Sequence, residues 1–579
     1  MAIFTSIAAL VTAGATAIGF SAVTAAAIGA TAVQLALSAA ASFIFGGGRN
    51  TSTTPSASKQ QIQATINQSA GPRTRLYGQG LLGGTRAFWE TDGNKLYQII
   101  IANHTPLSNR LNYWIDGLPV VVNGSGFVTS DPFGGNDISL DYADGGTVGG
   151  DWPDVTAVFP TLWTAAHQLT DQATVKAVFT APDATSYNKK FPRGPNSSVQ
   201  IEAQGAAVFD YRTSNTAYTD NAALCIADFL THPDGFRIDQ SRIDEDLFSD
   251  FADLCDESVA LRFGGSEPRY RIWGVYELSE DPKNVLARMS LACDASIYQT
   301  AEGKVGIIGG RYSVPDVTIT DDDIYSLERV EGDGAIDGFN VIKGTYTSAD
   351  HDYQDTEAEA WENTTALLTQ PEKSEDMRAD MVPSHGQMRR LMKLQINQRN
   401  RAWTGSIVTS LVGLKARFPK GDGVHTIRVQ YEDLGMDEVV EVMGHEVVAE
   451  KSADGAIKWK CAIQIASIDS SWFDWDELTE EGTAPAEPER AAVQGTPTPV
   501  IASLVEDVGP IAVVTVTDIS RPDLELDAEI RAVGASNFSS MLETDLRAES
   551  GVLVAATNYE VRVRYKGGSW SANQPISIT

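Results

Sequence analysis

From Ala2 to Gly48 the chain carries no charged side chain, and nearly every residue is Ala, Ile, Val, Thr, Ser or Gly. As helix this stretch would run about 70 Å at ~1.5 Å per residue, enough for two crossings of a hydrocarbon core ~30 Å thick. Gly14, Gly19, Gly29 and the many alanines would let helices approach closely. A secretory leader places Lys or Arg ahead of its apolar run, whereas this chain opens Met1-Ala2-Ile3-Phe4. Two covers for the stretch stay open: other copies of the same segment in an oligomer, or lipid after release from a stored state. Water is not a third, because so large an apolar surface does not stay exposed.

The rest of the chain is too long for one core. At 579 residues it is expected to hold roughly three to five domains, and 50 glycines with 24 prolines favour strands and turns over long helices. A formal charge of −32 argues against wrapping nucleic acid, which requires a basic surface. DNA meeting this protein is expected to slide past an acidic wall without specific binding. Cys225, Cys255, Cys293 and Cys461 form no C-x-x-C pair and sit among apolar neighbours, as in Ala222-Ala223-Leu224-Cys225-Ile226. They read as buried reduced thiols in a chain folded in a reducing cytoplasm.

The expected fold is multidomain and mainly β with an α+β part. Residues 1–48 form the hydrophobic helical segment, and 49–71 a linker that includes the polar tract Arg49–Ser58. A first β-rich domain follows over 72–219. Its strands are Lys95–Ile101 and Leu111–Ile115, with Asp116-Gly117 turning into Leu118–Val122. The Asp-, Gly- and Pro-rich text from Gly124 to Thr219 reads as decorating loops, apart from Ala173–Phe179. An α+β domain spans 220–330. One helix runs from Asp220 to Leu230 and stops before the breaker His232-Pro233-Asp234-Gly235. A second follows Asp244 with Leu247, Phe248, Phe251, Leu254 and Cys255 on one face, and a third starts at Pro282 after Asp281 and repeats Val285, Leu286, Met289 and Cys293. Short strands are expected at Arg269–Tyr276 and Lys304–Ile308.

A second β-rich domain covers 331–476, with strands at Phe339–Tyr346, Ile407–Val412 and Val439–Val448. One helix interrupts it, opened by a capping box of Ser384 and Gln387 and continuing through Met388, Leu391 and Met392. Residues 477–499 form a Glu-, Pro- and Ala-rich linker. The tail, 500–579, alternates through Asn558–Lys566 and Trp570–Ile578 and resembles a fibronectin type III sandwich.

Three stretches invite a chemical reading. His445-Glu446 begins like the zinc-protease H-E-x-x-H, but the second histidine is missing and Glu438–Val448 alternates as a strand. Asp321-Asp322-Asp323 has the character of a hard-cation site, yet lies ahead of Ile324 and Leu327 as turn and capping residues do. The acidic stretch Asp350–Glu362, with His351, Tyr353 and Trp361, contains the residue types of a glycan-cleaving site; runs of charge are more often exposed faces. No P-loop, G-x-S-x-G or dinucleotide fingerprint occurs. The expectation is a structural protein, not an enzyme, with no catalytic residue, cofactor or metal.

The stretch Asn221–Ile308 resembles the phage tail hub family, in particular the tail tip attachment (protein J) family of lambda-like siphophages. Leu230-Thr231-His232-Pro233, Leu254-Cys255-Asp256-Glu257-Ser258-Val259, Phe263-Gly264-Gly265-Ser266-Glu267-Pro268-Arg269 and the helix Val285–Cys293 agree with it in order and spacing. Downstream, Asp337-Gly338-Phe339-Asn340-Val341, the helix Met388–Ile396 and Phe418-Pro419-Lys420-Gly421-Asp422 are similar, Lys420 being an interruption of the family's P-G-D. Upstream, Leu76-Tyr77-Gly78 with Gly83-Gly84 resembles the family's opening strands. The resemblance covers Pro72–Trp475 and none of its motifs is catalytic. It implies a virion-borne homotrimer at the tail tip, whose two β-barrel domains per chain form a pseudo-sixfold ring. The partners it implies are a distal tail protein ring, a tape measure protein and tail fibre or receptor-binding proteins. The long receptor-binding region of the lambda-like members is not expected here, and receptor recognition is expected to fall to other proteins. Two competing readings are a tail-associated cell-wall hydrolase and a bacterial surface protein anchored in a membrane through residues 2–48.

Overall fold

The structure, a computed structural model, describes residues 63, 65–66, 71–146, 150–182, 190–191, 193–300, 302–332, 338–416, 424–451, 457–487, 499–506, 509–516, 526–544, 547–565 and 570–578. The charge-free segment, the tract Arg49–Ser58, Asp337 and Phe418–Asp422 lie outside the described residues. The chain packs as two compact units. The larger takes the described parts of Met1–Pro119, Leu140–Val178 and Ser198–Pro488, the smaller those of Val120–Ser139, Phe179–Ser197 and Glu489–Thr579.

The alternation at Lys95–Ile101 is a strand, Lys95–Asn103, in a four-stranded sheet with Thr85–Asp92, Ala173–Thr180 and Ile138–Ala143. A second sheet runs in the order Gln79–Leu82, Val199–Gln204, Asn109–Ile115, Leu118–Val120. Asp116 and Gly117 have φ of 52° and 85°, the doubly left-handed backbone of a tight hairpin turn. The expectation of loops over Gly124–Thr219 is corrected by the strands at Ile138–Ala143, Val199–Gln204, Ala207–Asp210 and Asn215–Tyr218. Val199, Ile201 and Ala203 do alternate and are buried, but six residues amid Gly- and Pro-rich text give a weak period. Gly78 and Gly84 are forced: φ is +62° and +85°, and a Cβ would stand 2.1 Å from the carbonyl oxygens of Ile272 and Ile101.

Each of the three expected helices forms behind a side-chain cap. Asn221, Asp244 and Asp281 accept backbone N–H groups at the starts of Ala222–Thr231, Glu245–Asp256 and Pro282–Leu291. The first helix therefore begins two residues later than expected. Asp220 stands outside it and accepts instead from Trp273 Nε1 at 2.8 Å. Cys293 likewise falls just beyond the third helix. The strand expected at Arg269–Tyr276 shortens to Gly274–Glu277, paired with Thr74–Tyr77, because the Arg271 backbone is taken up by the Gln387 side chain.

One buried cluster holds Tyr77, Leu224, Phe229, Phe248, Met289, Ile342, Met388 and Met392. The three helices thus share their core with the strand Val341–Ser348 and the helix His385–Arg399. Cys225, Cys255 and Cys293 belong to this cluster; all four cysteines are free and buried, and burial pushes their thiol pKa values up.

A six-stranded sheet follows, ordered Thr318–Ile319, Thr426–Tyr431, Met436–Lys451, Ile457–Ser467, Trp403–Thr409, Ile324–Glu331. Its core is Trp403, Ile407, Val429, Val440, Cys461, Ile463 and Ile465. The strand expected to reach Val412 ends at Thr409, and Leu411–Ala416 coils into 3-10 turns.

In the smaller unit, residues 499–578 form two four-stranded antiparallel sheets. Their orders are Pro499–Glu506, Gly509–Val516, Arg547–Glu549, Leu542–Thr544 and Ser539–Ser540, Leu526–Ala532, Thr557–Tyr565, Gln574–Ile578. They share a core of Ala512, Val514, Leu526, Ala528, Val561 and Val563. Tyr559 sits near the start of its strand and its hydroxyl accepts from Val554 N–H at 3.1 Å. On the same sheet Asp527, Glu529 and Arg531 stand opposite Arg564, Arg562 and Glu560, an ion pair at each step.

Candidate functional site

His445 and Glu446 lie next to each other on the strand Met436–Lys451, so their side chains leave opposite faces and cannot share a metal. His445 Nε2 donates to Gly413 O at 2.9 Å, and burial raises the Glu446 carboxyl above its ordinary pKa. Asp321-Asp322-Asp323 is a 3-10 turn in which the Asp321 carboxylate accepts Glu432 N–H at 3.0 and 3.1 Å.

The acidic stretch is spread over a turn and two short strands, Gln354–Glu357 and Trp361–Glu362. Its members face different partners. Asp355 pairs with Arg378 at 2.8 Å, Glu359 accepts Thr483 N–H at 2.6 Å, and His351 Nε2 donates to Ala486 O at 3.0 Å. Trp361 has the Arg389 guanidinium 4.6 Å from its centroid, and Tyr353 is buried against Leu81 and Trp114. Among the described residues no group of three or more His, Cys, Asp or Glu side chains could hold a metal ion.

One constellation of buried polar groups was missed by sequence reasoning. It is built on the helix His385–Arg399, where Ser384 caps Gln387 N–H at 3.2 Å. The other half of the expected capping box does not appear. The Gln387 carboxamide, fully buried, instead donates to Arg271 O at 2.9 Å and Ala292 O at 2.8 Å. Arg390 pairs with Glu267 at 3.0 Å, both side chains under 9% exposed, and Glu267 also takes Arg271 at 3.0 Å.

On the same helix Arg389 donates to the carbonyls of Glu480, Glu359 and Ala360 at 3.0, 2.9 and 2.6 Å. Lys393 reaches Asp474 O at 2.7 Å and the Glu480 carboxylate at 2.6 Å. From the other side the Arg262 backbone N–H donates to the Glu481 carboxylate at 2.8 Å and its guanidinium to Gly482 O at 3.0 Å. Residues 477–483, expected as the start of a linker, are therefore strapped to the body. His385, at the foot of the helix, accepts Glu359 N–H at 3.4 Å; burial, with Arg389 nearby, pushes its pKa down to about 4. The signal for this clamp was present as Arg389, Arg390 and Lys393 on the helix that also carries Met388, Leu391 and Met392, but most of their partners are distant in sequence. Its buried cations are taken up by carbonyls and carboxylates.

No family model matches the chain, and no curated protein matches it. Among solved structures it is similar to a chain from the virion of a native gene transfer agent particle, at 12% identity and a TM-score of 0.50, over 80% of this chain and 97% of that one. Matches at lower TM-scores include the 43 kDa tail protein of prophage MuSo2 from Shewanella oneidensis (0.25; 12% identity, 69% of this chain and 93% of that one). Another is the prophage tail protein gp18 from Listeria monocytogenes EGD-e (0.23; 10% identity, 66% and 86%). At 12% identity the first of these likenesses establishes a common fold over four fifths of the chain.

Proposed function

We propose that this chain is a structural hub of a phage tail tip, a virion component that closes the tail tube as a homotrimer and supports host attachment and DNA ejection. The observation that carries the reading is the fold shared with a virion chain along 97% of that chain's length. The net charge of −32 supports it, since an acidic wall lets DNA pass without sticking. In this reading the partners are a distal tail protein ring, a tape measure protein, and tail fibre or receptor-binding proteins. In the same reading residues 2–48 sit in the tube lumen or are released into a host membrane.

The C-terminal sandwich is read as fibronectin type III-like. Its two sheet orders and the Tyr559 hydroxyl, bonded back to the chain five residues upstream, are features of that sandwich class.

The test is the mass of the purified chain by light scattering, together with its shape by negative-stain microscopy. A trimeric ring is expected. A monomer across micromolar concentrations would overturn the reading.

A further inference from the structure

Gln63, Thr65 and Ile66 are held to the body by side-chain and backbone hydrogen bonds. The Gln63 side chain donates from Nε2 to the carbonyls of Asp352 and Tyr353 at 3.2 and 3.3 Å, and its Oε1 accepts from the Gln354 carboxamide. Its backbone carbonyl takes Gln200 Nε2 at 2.9 Å. Thr65 Oγ1 donates to Val199 O at 2.7 Å and accepts Val199 N–H at 3.1 Å. Ile66 exchanges backbone bonds with Gly84 and Arg86, each at 3.0 Å.

The receiving corner is strained. Asp352 and Tyr353 have φ of 56° and 60°, two successive left-handed residues of which one is a bulky aromatic. Such a conformation persists only where the surroundings over-determine it. Here it turns two consecutive carbonyls toward one point, the point the Gln63 amide occupies. A carboxamide, with a donor end and an acceptor end, satisfies the corner and Gln354 together; a carboxylate would set oxygen against oxygen. From the corner the Tyr353 ring runs back into the first β domain, where its hydroxyl donates to Glu202 at 2.7 Å. Glu202 in turn takes Gln79 at 3.0 Å and Asn112 at 2.7 Å.

We propose that Gln63, Thr65 and Ile66 form a clip, and that the Asp352–Gln354 corner is a glutamine-reading dock for it. Withdrawn, the clip removes the Gln63 bonds to two consecutive carbonyls, so the corner relaxes and the change reaches Glu202 through Tyr353. The use of this device in ejection rests on the reading of residues 2–48 as a stored segment; the clip itself does not.

Hydrogen–deuterium exchange on the full-length chain tests it. Gln63→Glu should speed exchange roughly tenfold at the amides of Val199, Tyr353 and Thr356, with Met436–Lys451 unchanged. Gln63→Asn, which keeps the amide but is one carbon short, should fall between. Unchanged exchange at the corner in Gln63→Glu would overturn the proposal, and so would loss of protection throughout the chain, which would make Gln63 a general fold determinant. Exchange is read on the isolated chain, so a failed clip is distinguishable from a failed hub assignment: a trimeric ring with an unresponsive corner defeats the clip alone, and a monomer with a responsive corner defeats the hub alone.

Discussion

Glu267 is the residue whose importance the sequence concealed most completely. In Phe263-Gly264-Gly265-Ser266-Glu267-Pro268 it reads as a turn carboxylate, yet it lies between the guanidiniums of Arg271 and Arg390, the latter 123 residues away. Periodicity reports which face of an element is apolar; it is silent on which polar group crosses to meet a distant one. Glu267→Ala leaves Arg390 buried without its counter-ion and should cost about 3–5 kcal/mol, read as a fall in the urea midpoint with unchanged slope. A change below about 1 kcal/mol would mean that water replaces the carboxylate.

His385 makes a second residue-scale prediction. Its pKa of about 4 in the fold against an ordinary 6.5 means that the unfolded chain binds more protons between those values. Its contribution to stability is complete above pH 6.5 and is lost as pH falls toward 4, by up to about 3 kcal/mol. His104, also pushed down to about 4 by burial and Arg73, acts in the same direction. His385→Gln should therefore reduce, not abolish, the acid slope of the denaturation midpoint; an unaltered slope would place the titration elsewhere.

Among the elements, helices were the most legible, because their signals are local. Asp244 and Asp281 were visible as caps and perform that role, whereas Asn221 was passed over for Asp220, one position earlier with the same kind of side chain. Asp244→Ala should cost about 1 kcal/mol through the lost cap to Leu247 N–H. The long strand Met436–Lys451 was read through its alternation, but the register shift between Val442 and Gly444 was not, since a bulge adds one residue without marking it in composition. Strands of four to six residues in Gly-rich text were lost for lack of length. In the C-terminal sandwich, Tyr559→Phe should cost about 1 kcal/mol by leaving Val554 N–H without its acceptor, measurable as a lower thermal midpoint for that transition.

At the scale of the molecule, the cross-links that hold the larger unit together revise where it can be cut. A body ending at Trp475 would lose Glu480 and Glu481, the partners of Lys393 and Arg262; one covering 63–487 keeps them and the Gln63 dock. That body should assemble as a trimer, while one ending at 475 should be less stable. Composition carried the mainly β plan; the strap, and the bonds of Gln63 to Asp352 and Tyr353, made by pairs more than 80 residues apart, were beyond it. For the charge-free segment, Gly19→Asp with Ile28→Asp should leave the trimer intact yet reduce DNA delivery, because each carboxylate would cost several kcal/mol, on the order of 2–3, at a bilayer centre.

A tail-tip location is tested most directly by labelling purified particles with an antibody to residues 500–579 and viewing them by electron microscopy. Label is expected at one end of the tail, distal to the head, in nearly every particle. Label along the tube or on the head, or particles without the chain, would contradict it.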